Sequence, residues 1–78
     1  MSHPSLTPAQ AERLAMLIEE AAEIQQAATK ILRHGYDSHH PDDEKKTPNG
    51  TLLCEELTDF CAVTVVMGMA GDLSLIHI

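Results

Sequence analysis

The stretch LIEEAAEIQ, Leu17–Gln25, places three glutamates, Glu19, Glu20 and Glu23, inside a segment that is otherwise mostly apolar. Leu17, Ile18, Ala21 and Ile24 recur at three- and four-residue intervals, the spacing of a helix with one apolar face. Followed outward, the stripe is Leu14, Leu17, Ile18, Ala21, Ile24, Ala28, Ile31 and Leu32. Upstream, Thr7 is an N-cap with Pro8 at the first helical position and Gln10 three residues on, the pattern that satisfies orphan backbone donors. Downstream, Gly35 is the expected stop.

From Tyr36 to Gly50 the segment YDSHHPDDEKKTPNG carries two prolines, a glycine, many charges and no periodicity, so it is expected to be a loop. A loop longer than ~12 residues in so small a chain points to function or disorder. A second helix is expected to begin between Thr47 and Thr51, capped by Thr47, Asn49 or Thr51, with the stripe Leu53, Leu57, Phe60, Thr64 and Met67. It should end near Gly68 to Gly71. Val63, Val65, Val66 and Met69 make this helix apolar nearly all round, and such a helix expects neighbours on every side.

Composition narrows the class. The apolar residues are 44% of 78 and only 3% are aromatic, so Ala, Leu, Ile, Val and Met dominate and favour helices over a β-sandwich. A chain this short is marginal for a core of its own. The fold is therefore expected to be all-α, an antiparallel helical pair within a larger, self-associated assembly. A net charge of −7 with five Lys and Arg excludes a groove for nucleic acid, which needs a basic footprint. Cys54 and Cys61 are too far apart on one helix to bridge each other, so reduced thiols and helix packing are expected. The first residues lack a basic segment followed by an apolar run, and no stretch approaches the ~20 apolar residues of a bilayer span. A cytoplasmic location without membrane contact follows as an expectation.

The acids supply the functional signal. Glu20 and Glu23 follow Leu17 by three and six positions, and Glu56 and Asp59 follow Leu53 by the same intervals. At ~100° per residue both pairs fall on matching shoulders of their stripes. If the helices pack antiparallel, the four carboxylates converge. Desolvated carboxylates in mutual contact either take up protons or bind a metal, and an all-oxygen site suits Mg²⁺ or Mn²⁺ better than Zn²⁺. Either pair alone would be read as a solvated helix face; the joint pattern favours a metal site.

Glu19-Glu20-x-x-Glu23 followed by Glu56-x-x-Asp59 resembles the EExxE and ExxD signature of the MazG-like all-α nucleoside triphosphate pyrophosphohydrolases. The similarity extends through AAEIQQAATKILRHG and LCEELTDF, covering roughly Ala11 to Met67. It implies a helical, oligomeric, four-helix-type bundle whose Mg²⁺-dependent members cleave an NTP or dNTP between the α and β phosphates. It also implies that Glu20, Glu23, Glu56 and Asp59 are the metal ligands and that Glu19 orients or deprotonates the attacking water. Two departures stand out: Thr58 occupies a place often held by Gly in relatives, and the loop between the motifs is long. Neither removes a ligand.

Lys30 lies on the flank of Glu23 and, with Arg33 and His34 behind it, is placed to meet substrate phosphates. Cations in the last turn of a helix also meet its dipole favourably, which is the plainer account of Lys30 and Arg33. His34, His39 and His40 match no closed zinc spacing. The competing function is a non-enzymatic helical oligomerisation or interaction module. A di-iron carboxylate bundle would want a Glu-x-x-His pair, and neither Glu20 nor Glu56 has His three residues on. Finally, LSLIHI, Leu73–Ile78, is what the DNA CTGTCTCTTATACACATC encodes, which resembles a transposase end used as a sequencing adapter. The expectation is a partial domain over residues 1–72 and a non-native tail over 73–78.

Overall fold

The computed structural model describes residues 4–74. Two helices form, α1 over Pro8–His34 and α2 over Asn49–Met69, and no strand occurs among the described residues. The start of α1 follows the sequence closely. Thr7 Oγ1 accepts the Gln10 N–H at 3.1 Å while Gln10 Oε1 accepts the Thr7 N–H at 2.9 Å, a reciprocal capping box with Pro8 behind it. Gly35 ends the helix at φ +89°, a left-handed value that a Cβ would disfavour, and donates its N–H to Ile31 O.

Contacts at both ends make the pair antiparallel. The amide of Asn49, at the start of α2, donates to Gly35 O at 3.2 Å, just past the end of α1. At the other end Arg13, near the start of α1, forms a two-pronged ion pair with Asp72, just past the end of α2; its Nη2 donates to Oδ1 at 3.0 Å. That guanidinium holds the Asp72 carboxyl below the usual carboxylate range.

The seam between the helices is displaced from the apolar stripes read in the sequence. Among the described residues Ala27, Val63 and Met67 are the buried apolar ones, and Asn49 is buried with them. Arg13, Leu17, Glu20, Ile24, Ala27 and Ile31 on α1 are all buried or half-buried, as are Asn49, Leu53, Glu56, Phe60, Val63 and Met67 on α2. Both sets alternate four- and three-residue steps, the rhythm of a packed helix seam. Leu14, Ile18 and Leu32 of the expected first stripe are instead exposed, Leu32 to 88%, and Leu57 of the second is 44% exposed. The physical reason is visible in α2: with apolar residues nearly all round, periodicity does not select a face, and small Ala27 sets where the helices approach. Glu20 and Glu56 consequently stand in the seam rather than at its shoulder.

Other expectations change as well. Pro48 occupies the N-cap of α2 and no side chain caps it; Thr47, Asn49 and Thr51 do not. Cys54 and Cys61 are free and exposed, not packed. Among the methionines, Met67 is 1% exposed and belongs to the core, whereas Met69 is 83% exposed. The radius of gyration, 15.7 Å, exceeds the roughly 11–12 Å of a compact domain of this length, as an open hairpin requires. No described helix is long and apolar enough to cross a membrane. In the tail, Leu73 is half-buried beside Leu6, Leu14 and Met67, and residues 75–78 lie outside the described residues.

Candidate metal centre

The antiparallel seam brings the middle of α1 against the first half of α2, where both acidic motifs lie. One carboxylate oxygen from each of Glu20, Glu56 and Asp59 falls within 4.8 Å of the others, close enough for a single cation to touch all three. Glu20 and Glu56 are half-buried and Asp59 is exposed, so the cluster opens to solvent on the Asp59 side. Oε2 of Glu20 and Oε2 of Glu56 are each shut off from water with no hydrogen-bond partner. Buried carboxylate oxygens are costly to leave unpaired, and two together with like charge are costlier still.

The same crowding raises both seam glutamates above the ordinary carboxylate range. Glu56 is pushed up to about 7, first by its side-chain contact with the Glu23 carboxyl, which favours a shared proton, then by desolvation and by the charges of Glu23, Asp59 and Glu20. Glu20 is raised chiefly by desolvation, then by the charges of Glu23 and Asp59 and by contact with the Glu23 carboxyl. Glu23 thus lies against both seam glutamates, although its oxygens are not among the three that converge within 4.8 Å. The expected four-ligand set is brought into one neighbourhood, with three members positioned for one ion and Glu23 as their immediate neighbour.

A cavity of about 340 Å³ adjoins the cluster, lined by Glu23, Gln26, Ala27, Lys30, Asn49, Leu52 and Glu56. Lys30 is therefore beside the acids, as its helical offset from Glu23 implies. Arg33 and His34 open onto a neighbouring cavity that Lys30 shares. Glu19 is exposed and lines neither cavity; its charge is felt by Glu20, one residue away. Glu55, adjacent to Glu56, is exposed, so α2 turns only one of its two consecutive glutamates into the seam. Asn49 and Gln26 also line the acid cavity, a role that no motif in the sequence signals. Asn49 had the look of an N-cap, and nothing in its spacing announced a buried side chain.

A divalent, oxygen-seeking ion fits this donor set. The donors are all carboxylate oxygens, two of them are buried without a hydrogen-bond partner, and Asp59 is open to solvent. Comparison with protein-family models, with curated proteins and with solved structures finds no match to the chain.

Proposed function

We propose that the chain is a Mg²⁺-dependent nucleoside triphosphate pyrophosphohydrolase, releasing a nucleoside monophosphate and pyrophosphate from an NTP or dNTP. The observation that supports it is the seam cluster of Glu20, Glu56 and Asp59, in which two carboxylate oxygens are buried without partners. A solvated acidic face would not bury them. The order and spacing of the two acidic motifs, which resemble those of MazG-like enzymes, supply the reaction type.

In this reading Glu20, Glu56 and Asp59 hold the ion, with Glu23 as the fourth carboxylate completing or orienting the set. Bound Mg²⁺ neutralises charge on phosphoryl oxygens and acidifies water. The chain itself contributes position. Lys30, lining the same cavity as Glu23 and Glu56, meets a phosphate oxygen; Arg33 and His34 stand one turn further on. Water attacks the α-phosphorus, the bond to the bridging oxygen breaks, and pyrophosphate leaves with that oxygen. No protein nucleophile is needed, because phosphoryl transfer depends mainly on positioning and charge stabilisation. Glu19 is proposed to take the proton of the attacking water. That role rests on the resemblance, and it requires the solvent-facing Glu19 to turn toward the cluster.

The working form is proposed to be a homo-oligomer. Ile18, Val65, Val66 and Met69 are between 50% and 83% exposed, and a hairpin with three buried apolar residues among those described is far from closing a core. A second pair of helices, supplied by another copy, would complete a bundle.

Incubation of the chain with a panel of NTPs and dNTPs tests the activity. Mg²⁺-dependent release of pyrophosphate and monophosphate is expected. Release of inorganic phosphate and a nucleoside diphosphate, or no turnover of any nucleotide by an assembled, Mg²⁺-binding chain, would overturn it.

A further inference from the structure

The acid cluster sits where the seam is least packed. Val63 and Met67, the buried apolar residues of α2, lie beyond Glu56 toward the end of the helix, and between Asn49 and Phe60 only Asn49 is buried. Ala27, the buried α1 residue lining the acid cavity, is small. Glu20, Glu56 and Asp59 repel one another here until an ion or a proton arrives. Apolar burial has little to set against that push.

The start of α2 is held by polar groups instead. Asn49 is 5% exposed, and its Nδ2 donates to Gly35 O at 3.2 Å. Its backbone N–H donates to Ser38 O at 2.7 Å, and that of Gly50 to Tyr36 O at 2.9 Å. Three carbonyls just past α1 therefore receive three donors from the first turn of α2, whose N-cap, Pro48, supplies no side-chain cap. Gly50 permits the close approach, since a Cβ there would stand 3.2 Å from Tyr36 Cδ1. The chain leaves and re-enters through this clasp. Beyond it the loop carries its own turn, in which Asp43 accepts the N–H groups of Lys45 and Thr47, so the loop's length is kept off the seam.

Asn49 and Glu56 are seven residues apart, two helical turns or about 10.5 Å, and nearly in line along one face. A helix passes any slide or rotation of its first turn on to that carboxylate. Asn49 also lines the acid cavity with Glu23 and Glu56. We propose, resting on the Mg²⁺ centre proposed above, that Asn49 is a positioning residue: its amide, clasped to Gly35 O, keeps Glu56 within bridging distance of Glu20 before any ion is bound. Mg²⁺ demands near-ideal geometry with oxygens at about 2.0–2.1 Å, whereas Ca²⁺ accepts about 2.3–2.6 Å and irregular shells. Loss of the clasp then costs Mg²⁺ more than Ca²⁺.

Calorimetric titration of Mg²⁺ and of Ca²⁺ compares the whole chain with Asn49→Ala, Asn49→Asp and Arg13→Met, each held below the melting transition of its metal-free form. Arg13→Met opens the clamp at the other end of the hairpin and reports what general loosening does to either ion. Asn49→Ala should weaken Mg²⁺ about ten-fold or more and Ca²⁺ about three-fold or less. Asn49→Asp sets an acceptor opposite Gly35 O, but its charge suits a helix start, so it supplies a folded variant should alanine fail. Its carboxylate draws both ions alike, and the Mg²⁺-to-Ca²⁺ affinity ratio should still fall. Arg13→Met should leave that ratio unchanged. A ratio that stays at the parent value in the Asn49 variants, or that Arg13→Met lowers as much, overturns the positioning role while Mg²⁺ binding by the parent keeps the metal centre. A parent chain that binds no Mg²⁺ overturns both.

Discussion

Glu20 and Glu56 meet across the α1–α2 seam, each with one carboxylate oxygen buried and unpartnered. Two acids in such contact cannot both ionise cheaply, so the fold and the proton or cation content of the seam are linked.

The first consequence concerns pH. Glu56 has a folded-state value of about 7, above its ordinary 4.5. A group raised on folding contributes stability that is complete below the ordinary value and is lost as pH rises through the folded one. Metal-free protein should therefore lose thermal stability between about pH 4.5 and 7 on account of this carboxyl. Glu20, raised in the same direction, adds to the trend. Glu56→Gln should flatten the profile and melt higher than the parent at pH 8. Thermal scans without metal check this; a parent more stable at pH 8 than at pH 5 would contradict it.

A second prediction probes the seam's register. Met67 is 1% exposed and Leu57 is 44% exposed, although both belong to the stripe read in the sequence. Met67→Ala should cost ~2–5 kcal/mol, the range for emptying a buried site. Leu57→Ala should cost well under half as much. Denaturant titrations giving equal losses would return the seam to the original stripe.

Much of the hairpin was legible because its signals are local. The Thr7–Gln10 capping box, Pro8 and Gly35 each act through backbone geometry that neighbours dictate, and they delimit α1 as the sequence indicates. The acidic neighbourhood was legible for a related reason: three-residue spacing keeps Glu20 with Glu23, and Glu56 with Asp59, on one flank whatever the partner helix does. The register was not legible. An all-round apolar α2 leaves the choice of face to tertiary contacts, and Asn49, whose amide ties α2 to Gly35 O, looks identical in sequence to a helix cap. The cavity beyond Lys30 was legible only in part, since Lys30, Arg33 and His34 share a helix end, whereas His39 and His40 arrive by a loop path that periodicity does not encode.

A third prediction addresses assembly. Val65, Val66 and Met69 present a continuous apolar surface on the last turns of α2, 50%, 51% and 83% exposed. Sedimentation should find a dimer or larger species that dissociates on dilution. Val65→Glu combined with Met69→Glu should shift it to monomer, because burying two unpaired charges in an interface costs far more than the apolar contact gains. A parent chain that stays monomeric and cooperatively folded at every concentration would contradict the bundle.

The clamp at the open end gives a fourth. Arg13 and Asp72 are joined by two hydrogen bonds, and the Asp72 side chain is 9% exposed. Arg13→Met should free the turn after α2 and speed amide exchange over Gly68–Asp72 more than over Asn49–Leu53. Uniform acceleration along α2 would mean that the pair stabilises the hairpin globally and does not pin its end.

The account's central claim is that the seam acids hold a divalent cation, and the adjacent pair Glu55 and Glu56 tests it most directly. Glu55 is exposed; Glu56 is half-buried, with an oxygen that lacks a partner. Calorimetric titration of Mg²⁺ into the chain and into each Glu→Gln variant compares neighbours of identical chemistry at one step of one helix. The account predicts proton-releasing Mg²⁺ binding that Glu55→Gln leaves intact and Glu56→Gln weakens at least ten-fold, as loss of one charged ligand implies. Equal weakening by the two substitutions, or Mg²⁺ binding that survives Glu56→Gln unchanged, would contradict it.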